Sequence, residues 1–224
     1  MKTIKILTII LCSSLFIYSC SDDDDSVTDD EVSEDSRAEL YASSNTNGNP
    51  TMYDLSDSDN IETKTFLTLS TDAEGIYYDE DEDQLTQASR SMLKLNTYGD
   101  ISVTEDGINL DLVLESSADL ESPRDIAVNG DIFVVSDNAD VDGDPNTDDG
   151  RFFVYTKTAS GFTLRNTVEV SFAVWGIEFV GNDLFAVVDK TSDIAQFSDF
   201  SSVTTNTTVA PTKQITVEGI VRTH

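Results

Sequence analysis

The chain is poor in the residues on which much protein chemistry leans. It holds one histidine, His224, and two cysteines, Cys12 and Cys20, in 224 residues. A lone imidazole at the last position leaves little room for a histidine general base or a histidine-rich zinc site. With both cysteines near the N-terminus, the rest of the chain has no thiol for a disulfide, a thiolate metal centre or a nucleophile. Positive charge is scarce too: 13 Lys and Arg stand against 43 Asp and Glu, a net charge of −30. That surface repels phosphates, so neither DNA nor RNA is expected as a partner. It also disfavours adsorption to an anionic membrane, which leaves a lipid tether as the plausible anchor. What it favours is cations.

The N-terminus reads as a processing signal. Lys2 and Lys5 precede an apolar stretch from Ile6 to Ile17 that is short for a bilayer span. The stretch ends in Phe16-Ile17-Tyr18-Ser19-Cys20, which resembles the lipobox of bacterial lipoproteins. The resemblance implies a signal peptide over residues 1–19 and lipidation of Cys20, the alternative being an ordinary secretory signal cleaved nearby. Ser21 followed by Asp22 to Asp25 resembles the acidic export signal of Bacteroidetes surface lipoproteins. It implies a protein anchored in the outer membrane and exposed at the cell surface; a solvated acidic spacer gives the same composition.

Residues 20–60 are rich in Asp, Glu, Ser, Thr and Asn and show no sustained period. Such a segment buries too little to offset the entropy of ordering, so a flexible stalk is expected, with Met52, Tyr53 and Leu55 as a short docking patch. Over residues 61–224 the character changes. Short runs of Val, Ile, Phe and Tyr alternate with Gly, Asn and Asp clusters, the mark of antiparallel sheet, and no amphipathic helix stands out. A four-residue pattern recurs: Ala73-Glu74-Gly75-Ile76, Pro123-Arg124-Asp125-Ile126, Val174-Trp175-Gly176-Ile177 and Val217-Glu218-Gly219-Ile220. The isoleucines lie 50, 51 and 43 residues apart, a blade period, and each copy opens a unit of four strands. The expected fold class is all-β, a β-propeller of four-stranded blades, with a β-sandwich as the alternative. At this period the segment holds about three blades, so the ring is expected to be incomplete and the chain to be the N-terminal part of a longer protein. Assembly of partial propellers between chains is the other possibility.

The run from Pro123 to Asp137 resembles the repeat of NHL-type and gluconolactonase-like propellers: proline, polar residue, glycine, aliphatic, turn, then an apolar strand ending near Asp, with Asp125 here at the glycine place. In that family the residue after the first motif position lies at the mouth of the central channel and sometimes ligates a divalent metal. Here the matching positions hold Glu74, Arg124, Trp175 and Glu218. Two glutamates fit a carboxylate ligand set, whereas Arg124 and Trp175 depart from it. An indole beside charged hydrogen-bond partners suits a polar ligand instead. Trp175 filling a blade interface is the structural alternative.

A second constellation spans Asn138 to Asp149. Oxygen-bearing side chains fall at Asn138, Asp140, Asp142 and Asn146, with Gly143 at the sixth place and Asp149 at the twelfth; Asp144 lies between. Ca²⁺ takes six to eight hard oxygens, and a glycine permits the sharp turn around it. The spacing resembles the calcium loop of EF-hands, and a structural Ca²⁺ is expected; a solvated acidic hairpin is the alternative. Together these features point to a lipid-anchored surface protein that binds a glycan, a peptide or an outer-membrane protein partner at the channel mouth. The rival is a divalent-metal lactonase or esterase using Glu74 and Glu218.

Overall fold

The structure is a computed structural model that describes residues 38–219 other than residue 145. The expected signal peptide over residues 1–19, Cys20, the acidic run after it and Ile220 lie outside the described residues. Those described form sixteen strands and one short 3-10 helix, Phe200–Ser202, and no α-helix. The strands group into four small sheets arranged as the blades of a four-bladed β-propeller.

Blade 1 holds β1 (Glu39–Ala42), β2 (Thr51–Asp54) and β3 (Glu62–Thr65). Blade 2 runs β4 (Ala73–Asp79), β5 (Gln84–Ser89), β6 (Lys94–Gly99) and β7 (Asp111–Glu115). Blade 3 runs β8 (Pro123–Asn129), β9 (Ile132–Asp137), β10 (Gly150–Thr158) and β11 (Gly161–Val170). Blade 4 is built of β12 (Val174–Val180), β13 (Asp183–Val188), β14 (Asp193–Phe197) and β16 (Lys213–Thr216). Pairing is antiparallel except for β15 (Thr207–Thr208), which adds to β11 in parallel as a fifth strand of blade 3. Each blade's first strand is its innermost: β1 packs on β4, β4 on β8 and β8 on β12.

The stalk expectation fails over its second half, and with it the count of about three blades. Residues 39–54 supply β1 and β2, and the blade they open is a fourth. Composition hides this because each strand has only four residues and buries little of its own. What holds them is the neighbouring blade. Met52 is buried with Phe66 against Leu85, Tyr98, Ile101 and Leu110, and the Tyr41 ring stacks on Tyr78 with centroids 4.4 Å apart. The expected docking patch is therefore split: Met52 belongs to the core, while Leu55 stays exposed.

The apolar interior is divided among the blade interfaces, and β9 and β10 show why. Both are apolar on two faces, so successive residues point into different clusters. Phe133, Val135, Phe153 and Tyr155 face blade 2, meeting Ala88 and Leu95. Val134, Phe152 and Val154 face blade 4, meeting Leu184, Ala186, Phe197 and Phe200. Burial of each large side chain contributes about 1.5–3 kcal/mol relative to exposure.

A strap adds to the contact between blades 3 and 4. The connection from β14 to β16 reaches back across the outer edge of blade 3, where Arg165 Nη2 donates to the Val203 carbonyl at 2.8 Å. Asn166 Nδ2 donates to the Thr205 carbonyl at 3.2 Å, and the Val209 amide donates to the Glu169 carbonyl at 3.0 Å.

Candidate functional site

The recurring four-residue pattern is a β-bulge. In β4 the pairing with β5 slips between Ala73 and Ile76; in β8 it slips between Pro123 and Asp125; in β12 it slips between Val174 and Ile177. An extra residue leaves the ladder and its side chain is re-aimed. Hence Glu74, Arg124 and Trp175, one per blade, converge. They line a pocket of about 530 Å³ with Ser43, Ser44 and Asn45 from the end of blade 1, and with Ala73, Asp125 and Gly176.

The contacts within it are charge-assisted and dense. Arg124 Nη1 donates to both Glu74 oxygens at 3.1 Å. Its Nε donates to Asn138 Oδ1 at 2.8 Å and its Nη2 to Ser122 Oγ at 3.1 Å. The guanidinium lies over the Trp175 ring, 4.5 Å from the centroid, a cation–π contact. Arg90 Nη1 adds a second cation to Glu74 at 3.0 Å. With Glu74 held by two guanidinium groups, a divalent cation would have to displace them to use it as a ligand. Glu218 is exposed on the turn after β16 and does not line this pocket. Three of the four expected mouth residues are thus brought together, and the paired-glutamate metal set is not.

Two members of the site escaped the sequence reading. Arg90 follows β5 where Asn138 follows β9, each amide bonding the carbonyl just before the neighbouring bulge, Asp72 and Ser122 respectively. That correspondence was the available signal. Asp125 occupies a place that is glycine in the other three copies. Half-buried, its carboxyl is pushed up to about 6 by burial, with Glu178 adding to the rise, while the backbone amides of Ile177 and Ile126 hold it down.

The acidic loop is only partly gathered. Asp140, Asp142 and Asp149 can each bring an oxygen within 4.8 Å of the others. Asn138 is drawn away to Arg124 and Ser122. Asp144 accepts from the Asn146 amide at 3.1 Å and side chain at 2.7 Å, contacts that hold its carboxyl below the usual range. Asp144 does not join the three-carboxylate group. Gly143 has φ +83°, the left-handed turn the spacing foretold, and donates to Asp140 Oδ1 at 2.6 Å. The Asp149 carboxylate accepts from the Val141 and Asp142 amides at 3.1 Å. Three carboxylates so placed, two exposed and Asp149 half-buried, could hold a metal ion, the remaining oxygens of a Ca²⁺ shell coming from backbone or water.

No family model matches the chain, and no curated protein matches it. Among solved structures it is similar to the computationally designed Ika8 protein, with 7% identity and a TM-score of 0.44, covering 75% of this chain and 46% of that one. It is also similar to a functionally unknown protein from Desulfotomaculum acetoxidans, with 12% identity and a TM-score of 0.49, covering 70% of this chain and 53% of that one. The chain spans about half the length of the structures it matches.

Proposed function

We propose that this is a surface lipoprotein whose propeller binds a neutral glycan at the bulge pocket. The observation that carries the reading is the convergence of Trp175, Arg124 and Glu74 from three blades onto one cavity. An indole offers apolar surface on which a sugar ring packs, and the surrounding Ser, Asn, Asp and Glu groups suit its hydroxyls. The pocket's arginine, Arg124, is already committed to Glu74, as is Arg90 beside it, and the whole chain is strongly acidic, so an anionic ligand is disfavoured. The resemblance to NHL-type and gluconolactonase-like propellers agrees with such a scaffold but does not choose the ligand. A lactonase reading would need Glu74 and Glu218 in one metal site, and no observation favours it.

The test is retention of cells displaying the full chain on an array of immobilised glycans. Wild-type cells are expected to be retained on a subset. Trp175→Ala is expected to weaken binding about tenfold or more, the order of a lost stacking contact plus its buried area. Cys20→Ala is expected to release the protein into the medium, because Cys20 is read as the lipid anchor. Retention that is indifferent to Trp175→Ala, or absent from every glycan, would sink the binding reading; a Cys20→Ala protein that stays on the cell would sink the anchor.

The structural Ca²⁺ belongs to the same reading, as a clamp on the loop of Asp140, Asp142 and Asp149. Titration calorimetry should give a dissociation constant on the order of 10⁻⁴–10⁻³ M, as for extracellular modules, and a raised melting temperature. Asp149→Asn should abolish both. No heat at millimolar Ca²⁺ with an unchanged melting temperature would remove the metal from the account.

A further inference from the structure

The bulge carrying Trp175 is tied to blade 3 at two backbone groups that directly follow the indole. At the first, Ser136 Oγ on β9 donates to the Trp175 carbonyl at 2.5 Å. At the second, Asp125 Oδ2 on β8 accepts from the Ile177 amide at 2.9 Å. The two tethers are themselves joined, since the Asp125 amide donates to Ser136 Oγ at 3.0 Å. This polar pair is peculiar to blade 3. Where blade 3 pairs Asp125 with Ser136, the registers leave Glu74 and Gly75 together opposite Ala88 in blade 2, and Trp175 and Gly176 together opposite Val187 in blade 4. Blade 4 also leaves space for the carboxylate: a Cβ added at Gly176 would lie 3.6 Å from Asp125 Oδ2.

From this geometry we propose that Asp125 and Ser136 are positioning residues that fix the orientation of Trp175 in the pocket. The proposal rests on the glycan reading for its biological meaning, but its geometry stands without any ligand. An ionised carboxylate makes a stronger bond to an amide than a neutral acid does, so the tether is firmest when Asp125 is charged. Burial and Glu178 on β12 raise its carboxyl and the Ile177 and Ile126 amides lower it; Glu74 on β4 and Arg124 on its own strand line the same pocket, with Ser136 on β9 as the uncharged neighbour. Burial holds the carboxyl near 6, so the tether slackens as pH falls through that value. Stability runs the other way. A carboxyl raised above its unfolded value contributes stability that is full below about 4 and is lost as pH rises through about 6. Asp125 therefore holds its charge at neutral pH against the preference of the fold, as a group kept for positioning would.

The chain contains a single tryptophan, so fluorescence excited beyond the tyrosine absorption edge reports this site alone. The experiment is the steady-state anisotropy and acrylamide quenching of Trp175 in the full chain between pH 4.5 and 8. Wild type should show one transition with a midpoint near 6, with the indole more mobile and about twofold more quenchable on the acid side. Asp125→Gly and Ser136→Ala install the kinds of residue found in the sister copies, so both should fold. Both should be mobile at pH 8, Asp125→Gly with no transition and Ser136→Ala with a weakened one. A melting temperature for each, taken alongside, separates a misfolded variant from a loosened indole. A flat wild-type profile, or variants as rigid as wild type at pH 8, would overturn the proposal while leaving the glycan reading to its own test.

Discussion

Asp137→Ala is expected to lower the unfolding free energy by about 3 kcal/mol or more, as three backbone amides lose a charged acceptor, a large share of the roughly 5–15 kcal/mol that holds a domain of this kind together. Asp137 ends β9 with no solvent exposure, and its carboxylate serves three backbone amides. Oδ2 accepts from Glu121 at 2.8 Å and from Ser122 at 2.7 Å; Oδ1 accepts from Ala139 at 3.0 Å. These bonds fix the chain as it enters β8, one residue before the proline that precedes Arg124. Alanine would leave the amides with no acceptor, at about 1–3 kcal/mol for each that stays buried. Asparagine keeps one oxygen but turns an NH₂ group toward the remaining donors, so about half the loss is expected. Urea melts of the two variants decide the matter. A change below about 1 kcal/mol for alanine would mean that water or a shifted loop satisfies those amides. The sister positions show why the effect is local to blade 3: Ser89 Oγ serves the Met92 amide in blade 2, and Val188 stands at this place in blade 4.

Gly75→Val should be the second severe variant, and a matched pair of alanine substitutions isolates the reason. A Cβ on Gly75 would sit 2.8 Å from both the Cα and the carbonyl carbon of Asp125, and 2.9 Å from Ile126 Cγ1. Backbone atoms cannot swing aside as a flexible side chain can, so blade 2 would have to back away from blade 3. Overpacking of this kind costs about 1–3 kcal/mol, and valine, with two further methyls, more. At Gly176 the nearest atoms to a Cβ are side-chain atoms at 3.6 Å, an ordinary contact. Gly75→Ala should therefore lower the melting temperature by several degrees, while Gly176→Ala leaves it nearly unchanged. Because Glu74 adjoins Gly75, the first variant should also loosen the Arg124 pair and weaken the pocket. Equal melting temperatures for the two alanine variants would show that the blades are not in contact through Gly75.

The pattern that announced the blades in the sequence is visible because a bulge at an inner strand makes strong demands: an apolar residue, one re-aimed side chain, a small residue where the neighbouring strand comes close, then a buried aliphatic. Glu74, Arg124 and Trp175 could be named in advance because they fill the re-aimed place. Blade 1 was not legible. Its strands are four residues long, lie in an acidic and hydroxyl-rich stretch, and take their apolar partners from blade 2. The acidic loop shows a different failure. Spacing fixed which residues alternate, but the claim of Arg124 on Asn138 comes from another strand, and no local pattern contains it. Asp125 was quoted within its motif, yet its tie to Ile177 is a contact across 52 residues.

The strap over the outer edge of blade 3 has a mechanical consequence for the pocket. Blades 3 and 4 are joined at the rim by the bonds from Arg165 and Asn166, through their thickness by the aromatic cluster around Phe152 and Phe197, and at the inner end by Asp125 and Ser136. Three fastenings along one seam make the pair a single stiff jaw, with Trp175 and Arg124 mounted on it. The opposite jaw is the end of blade 1, where Ser43, Ser44 and Asn45 are carried by a sheet of three short strands. Compliance belongs to that lighter side, and the width of the pocket is set by how far it yields.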